Sequence, residues 1–298
     1  MKTRTLRSDF LLLLTALIWG MGFVAQRAGM AHIGPFLFNG LRFGLGALCL
    51  LPLLHRRRKQ NAVALLRQRP LLRPGGFVAG LVLFAGATLQ QVGLVYTTAG
   101  KAGFITGLYV VFVPILGMLF GQQTARGTWL GAVLATAGLY LLSFTGTVPI
   151  NPGDLLVLAG ALVWAGHVLI IDRLVSRLDA IALALRQFAI CSLLSLLVAL
   201  VAEPLSVEGV YRAAIPILYA GLLSVGIGFT LQVVAQREAH PAHAAIIMSL
   251  EAAFAALGGW LLLGEILSRR ELLGCLLMLL GMFLSQAHLL KKTPVELR

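Results

Sequence analysis

The chain has 298 residues, 59% of them hydrophobic and 12% charged, with a formal net charge of +13. Mean hydropathy is +0.91. A soluble domain is about 45–50% apolar and about 25% charged, and no soluble fold of this size has the interior to hide so much apolar surface. A disordered chain, a disulfide scaffold and an ordinary cytosolic enzyme are therefore excluded.

In chain order, the basic stretch Met1 to Arg7 before an apolar run has the look of a secretion signal. The run from Phe10 to Ala25 is long, and it reads as an uncleaved first span. A helix needs about 20 apolar residues to cross a bilayer core. Ten such stretches follow one another, near residues 9–28, 34–54, 75–97, 101–121, 127–146, 153–172, 180–201, 213–236, 241–263 and 270–290. No segment alternates with period two, which excludes a membrane barrel and leaves helices to satisfy the backbone in lipid. The cysteines Cys49, Cys191 and Cys275 each lie in an apolar stretch with neither metal nor disulfide spacing. They read as small thiols in helix packing.

With the N-terminus cytoplasmic, inside segments carry 17 of the 24 Lys and Arg residues and outside segments carry 5. Arg42 and Arg186 fall within spans. This asymmetry predicts a multi-pass protein of the cytoplasmic (inner) membrane with both termini cytoplasmic. It also explains the charge as a topology signal, so no nucleic-acid partner is expected. The segment Gln60 to Arg73 mixes leucines with arginines. It either lies on the cytoplasmic leaflet or forms a solvated basic loop.

The two halves of the chain resemble each other. Gly121-Gln122, Gly131 and Gly138 recur 143 residues later as Gly264-Glu265, Gly274 and Gly281. Leu89-Gln90 matches Leu231-Gln232, Trp19 matches Trp164, and Leu41-Arg42 matches Leu185-Arg186. These ordered matches at a near-constant offset indicate a duplicated five-span unit, residues 1–147 and 148–298. Five is odd, so the second copy enters the membrane from the opposite side. The expectation is an all-α integral membrane protein of ten transmembrane helices, two inverted-topology five-helix repeats around a central cavity. Such a pseudo-two-fold places a site near the midplane and favours alternating access.

Four segments carry a family resemblance: Ala16-Leu-Ile-Trp-Gly-Met-Gly-Phe-Val24, Pro35-Phe-Leu-Phe-Asn-Gly-Leu-Arg-Phe43, Gly107-Leu-Tyr-Val-Val-Phe-Val-Pro114 leading to Gly131–Leu142, and Ser249-Leu-Glu-Ala-Ala-Phe-Ala-Ala256 with Leu263-Gly-Glu265 and Gly274–Gly281. Together they resemble the EamA-type families of the drug/metabolite transporter superfamily, over about residues 9–290. The resemblance implies that the first four helices of each half surround the cavity, with the fifth and tenth packed peripherally. It also implies export of small metabolites, amino acids among them. The family often has Glu-Pro where this chain has Glu251-Ala252, so a proline kink there is not expected to carry over.

Polar groups inside spans are costly and face a cavity or a partner. Glu251 is the only carboxylate deep in a span. It reads either as a substrate contact or proton acceptor, or as a structural anchor. Arg42 lies toward the outside in span two and Arg186 toward the inside in span seven. They could fork onto a substrate carboxylate, form gate ion pairs, or simply snorkel. Asn39 shares a face with Arg42. Trp19, Phe23 and Gln26 share a face in span one, and Trp164 and His167 are three apart in span six. Tyr109 sits at the level of Glu251 in the matching half, and Gln90 and Gln232 could line a path or bond across helices. These twelve residues form the expected cavity. Gly131/Gly138 and Gly274/Gly281 would give each fifth span a smooth packing stripe.

The leading expectation is a secondary transporter of amino acids or other amphipathic or aromatic compounds. Protons or a counter-substrate are candidate coupling partners, and no cofactor is called for. An intramembrane enzyme and a passive channel are the alternatives. Zinc, Walker, nucleophile-elbow and diphosphate motifs are absent, and His240 and His243 form a close pair without an evident third ligand. Oligomeric state is left open, a monomer included.

Overall fold

A computed structural model describes residues 2–60, 74–97, 99–143, 151–263 and 268–291. The Gln60–Arg73 segment, apart from Gln60 itself, and the 147/148 boundary lie outside the described residues. Among those described, every regular element is helical. The helices are α1 (Lys2–Gly29), α2 (Pro35–Gln60), α3 (Pro74–Tyr96), α4 (Ala99–Gly107), α5 (Tyr109–Leu119), α6 (Arg126–Ser143), α7 (Pro152–Val175) and α8 (Ala180–Ala202). They continue as the short α9 (Val207–Arg212), α10 (Ala214–Leu218), a π-wound stretch (Tyr219–Phe229) and α11 (Thr230–Ala235). The last three are α12 (Pro241–Met248), α13 (Glu251–Leu263) and α14 (Arg269–Lys291).

Among the described residues, seven helical stretches are long and apolar enough to cross a membrane: Leu6–Gly29, Pro35–Arg56, Pro74–Tyr96, Lys101–Leu119, Pro152–Val175, Ala180–Ala202 and Ala214–Ala235. The other three expected spans correspond to α6, to α12 with α13, and to α14. Large apolar side chains face outward all round, among them Leu48, Leu162, Leu197, Val201 and Phe283. An apolar surface of this extent suits lipid rather than water.

Local chemistry sets the ends. Asn151 caps α7 through a capping box with Asp154, and Asp179 caps α8 through the amides of Ile181 and Ala182. The Glu203 carboxylate accepts from Phe36 N at 2.7 Å and Leu37 N at 2.8 Å, capping α2 from a distant helix end. Gly121, at φ 78°, closes α5 in a Schellman turn, with Gln122 N donating to Gly117 O and Gly121 N to Met118 O.

Helix α2 packs on α8, and α3 on α7 and α8. Helix α1 and α2 both pack on the π-wound stretch, and α1 also meets α13. Helices α6 and α14 pack chiefly on each other. Their glycine stripes face across that contact. A Cβ on Gly131 would lie 2.6 Å from Gly281 O, and one on Gly138 would lie 2.5 Å from Gly274 O. Only glycine permits that approach.

Two expected spans are broken rather than continuous. Leu108 N donates to Ile105 O and Val111 N to Leu108 O; Leu250 N donates to Ile247 O and Ala252 N to Ser249 O. These three-residue bonds tighten the chain for one turn and restart the helix at Tyr109 and at Glu251. The second break needs no proline. Ser249 Oγ bonds back to Ile246 O, the local competition that disfavours serine within a helix.

Candidate functional site

The breaks set the centre of the bundle. Residues Ile105, Leu108 and Phe112 recur 142 positions later as Ile247, Leu250 and Phe254, which sets Tyr109 at the position of Glu251. Tyr109 and Glu251 thus open equivalent helices, and both face one cavity. Thr106 and Met248, equivalent by the same offset, line it too. So do the matched pairs Gln90/Gln232 and Trp19/Trp164.

Aromatic rings form the apolar wall. Phe229, at the end of the π-wound stretch, is the hub: its ring lies 4.6 Å from Trp19, 5.6 Å from Trp164 and 5.9 Å from Phe43. Trp19 Nε1 donates to Ser224 O at 3.2 Å. The two tryptophans sit on matched glycines. A Cβ on Gly228 would lie 2.7 Å from Trp19 Nε1, and one on Gly86 3.3 Å from Trp164.

Among the described residues, one cation and one carboxyl enter the cavity. Arg42, 2% exposed, donates from Nε to Asn39 Oδ1 at 2.9 Å, and Asn39 Nδ2 donates to Ala87 O at 3.1 Å. The guanidinium carbon lies 4.8 Å from the Phe43 ring centre and 5.8 Å from that of Phe38. Glu251, 3% exposed, is an electrostatic neighbour of Tyr109. Among the described residues, no ion pair within 4.0 Å joins Arg42 to Glu251. Among the described residues, buried polar atoms around this space that lack a hydrogen-bond partner include Gln26 Oε1, Trp164 Nε1 and Gln232 Oε1. Buried polar atoms are satisfied as a rule, so this cluster suits a polar guest or water.

Of the twelve expected residues, nine line the cavity: Trp19, Phe23, Gln26, Arg42, Gln90, Tyr109, Trp164, Gln232 and Glu251. Asn39 stands behind Arg42 and orients it. His167 turns aside, its Nε2 at 2.7 Å from Gln187 Oε1, which ties α7 to α8. Arg186 is buried against Gly76 of α3, where a Cβ would lie 2.9 Å from its Cδ, and does not reach the cavity. Thr106, Val168, Ser224, Phe229 and Met248 complete the lining. Thr106 and Met248 carry a sequence signal, the Ile105–Phe112 match; Ser224 and Phe229 carry none.

A helical bundle with an apolar outer surface and seven stretches long enough to span a bilayer is a multi-pass membrane protein. The chain belongs to the EamA-like transporter family, whose model matches residues 6–144 and again residues 151–286. It is 31% identical to an uncharacterized transporter of Archaeoglobus fulgidus over 94% of this chain and 86% of the relative. It is 27% identical to the uncharacterized inner membrane transporter YedA of Escherichia coli, over 86% of this chain and 82% of that one. A probable amino-acid metabolite efflux pump of Salmonella typhimurium is 29% identical over 53% of this chain and 51% of the pump. A solved crystal structure superposes over 96% of this chain and 99% of its own, with TM-score 0.79 at 19% identity, a likeness of fold.

Proposed function

We propose that this transporter exports small amphipathic or aromatic metabolites, amino acids among them, by alternating access. In this reading it has ten transmembrane helices in two inverted repeats, residues 1–147 and 148–298, in the inner membrane with both termini cytoplasmic. The observation that carries the reading is the placement of Tyr109 and Glu251, which restart equivalent helices and face one cavity. Packing supports it as well. Gly131 meets Gly281, and Gly138 meets Gly274, the reciprocal pattern of a two-fold contact. Two near-equivalent halves around one site can rock to expose it to either side.

The cavity chemistry supports the substrate class. Arg42 offers a fork for a carboxylate, Glu251 an acceptor for an ammonium, and Trp19, Trp164 and Phe229 a wall for an apolar body. The probable efflux pump of Salmonella typhimurium is consistent with amino acids as cargo. The test is a thermal-stabilisation screen of purified protein against amino acids, nucleosides and aromatic cations, because a ligand of the folded state raises Tm. Amphipathic compounds with both charges are expected to stabilise it. Stabilisation by uncharged or purely cationic compounds alone would overturn the substrate class.

A further inference from the structure

The link between α8 and the π-wound stretch runs through α9 and the first turn of α10, and its three sides differ. Gly209, Ala213 and Ile217 lie four apart and are buried against the bundle. Glu208 and Arg212 make a second row and pair with each other at 2.8 Å in the open. Val207, Tyr211 and Ile215 make the third row, 89%, 79% and 81% exposed. Two branched aliphatic side chains and a phenol thus stand off the protein side by side, and water is a poor solvent for such a row.

Three contacts fix where this link lies. Ser206 Oγ caps α9 by accepting from Gly209 N at 3.0 Å. Glu203, just past the end of α8, holds the amides of Phe36 and Leu37 in the first turn of α2. A Cβ on Gly209 would lie 2.5 Å from His32 O, so α9 sits directly on the turn between α1 and α2. The depth follows from helix length. Helix α8 has 23 residues and is about 34 Å long, slightly more than the ~30 Å hydrocarbon core of a bilayer. Its last turn therefore reaches a membrane–water boundary, and the Glu203 and Gly209 contacts keep α9 level with the start of α2 at that same boundary.

We infer that α9 is an interfacial anchor, with Val207, Tyr211 and Ile215 inserted between the headgroups and acyl chains of the leaflet at the α1–α2 end of the bundle. In the orientation proposed above, this is the outer leaflet. Lipid is the occupant because the row is bracketed by lipid-facing rows on both sides in the chain, Leu197 and Val201 of α8 before it and Leu218 and Leu222 after it. Tyr211 suits the boundary: its ring is apolar and its hydroxyl needs water or a headgroup. A protein partner seated on the row would also cover the flanking Glu208–Arg212 pair, whereas at a leaflet surface that pair stays in water. The pair carries no net charge, so the anchor holds by its apolar row and selects no headgroup sign, unlike a polybasic segment.

The test is electron spin resonance power saturation on full-length protein in nanodiscs of phosphatidylcholine, repeated with phosphatidylglycerol added. Native cysteines are replaced by alanine, and one nitroxide is placed in turn at Leu197, Val207, Glu208, Tyr211 and Ile215. Oxygen concentrates in the hydrocarbon and a nickel chelate in water. The oxygen-to-nickel accessibility ratio is expected to be several times higher at Val207, Tyr211 and Ile215 than at Glu208, to approach that at Leu197, and to be the same in both lipids. A ratio at the three positions as low as at Glu208 would place the link in water and overturn the anchor. Low accessibility to both reagents, with spin–spin broadening that disappears on dilution with unlabelled protein, would show a second copy covering the row and overturn it too. A ratio that rises only with phosphatidylglycerol would overturn the claim that no headgroup sign is selected. A low ratio at Leu197 as well would overturn the depth assigned to α8, and the anchor with it.

Discussion

Tyr109 and Glu251 occupy the same place in the two halves of the chain, each the first residue of a helix restarted after a one-turn break, and they meet across one cavity. The equivalence pairs a phenol with a carboxyl, so the two halves are alike in backbone and unlike in chemistry. The single carboxyl in the site is therefore the group on which transport should depend most.

Glu251→Gln keeps the size of the side chain and removes its charge. Transport is expected to fall about 10- to 100-fold, the worth of one hydrogen bond to a charged group, with insertion and thermal stability near wild type. Membrane-fraction yield, melting temperature and flux measured together check this. Tyr109→Phe should cost less, because it removes a neutral donor.

Arg42 should act through the geometry of its fork. Arg42→Lys keeps the charge and loses the planar donors, so carboxylate-bearing ligands should weaken nearly as much as in Arg42→Ala. Asn39→Ala should produce a smaller loss in the same direction, since Asn39 acts on the ligand through the guanidinium it orients. The ligand-induced rise in Tm across the three variants measures the order.

Much of this site was legible in the sequence. The i, i+4, i+7 spacing sets Trp19, Phe23 and Gln26 on one helix face, and that face lines the cavity, as do the sequence-matched Gln90 and Gln232. His167, three after Trp164, packs on Gln187 of α8, whereas Val168, four after it, lines the cavity. Arg186 matched Arg42 in sequence, yet its stem is packed against Gly76, which no periodicity reveals. Ser224 and Phe229 were invisible because π winding shifts which residues share a face. The breaks before Tyr109 and Glu251 lack any proline signal and emerge only from backbone bonding.

The α6–α14 contact should tolerate no side chain at its crossing points. Gly138→Val or Gly281→Val is expected to destabilise the protein by about 1–3 kcal/mol, as overpacking does. A lowered melting temperature in detergent checks this. An equal substitution at Gly166, where nothing lies within 4 Å of an added Cβ, serves as the control.

The tryptophan seats differ in tightness, and substitutions should show it. Gly228→Ala places a methyl 2.7 Å from Trp19 Nε1, whereas Gly86→Ala leaves 3.3 Å to Trp164. The first should displace its indole, shift tryptophan emission and impair transport, and the second should do so less. Emission spectra of the two variants, with flux, decide the order.

The most direct test of the account is counterflow in proteoliposomes loaded with unlabelled phenylalanine and assayed with a labelled tracer of the same compound, repeated with each ligand the stabilisation screen identifies. Wild-type protein is expected to accumulate tracer for at least one such ligand, and Glu251→Gln, equally well inserted, to lose most of it. Equal accumulation by wild type and by both Glu251→Gln and Arg42→Ala would contradict the claim that this cavity is the transport site.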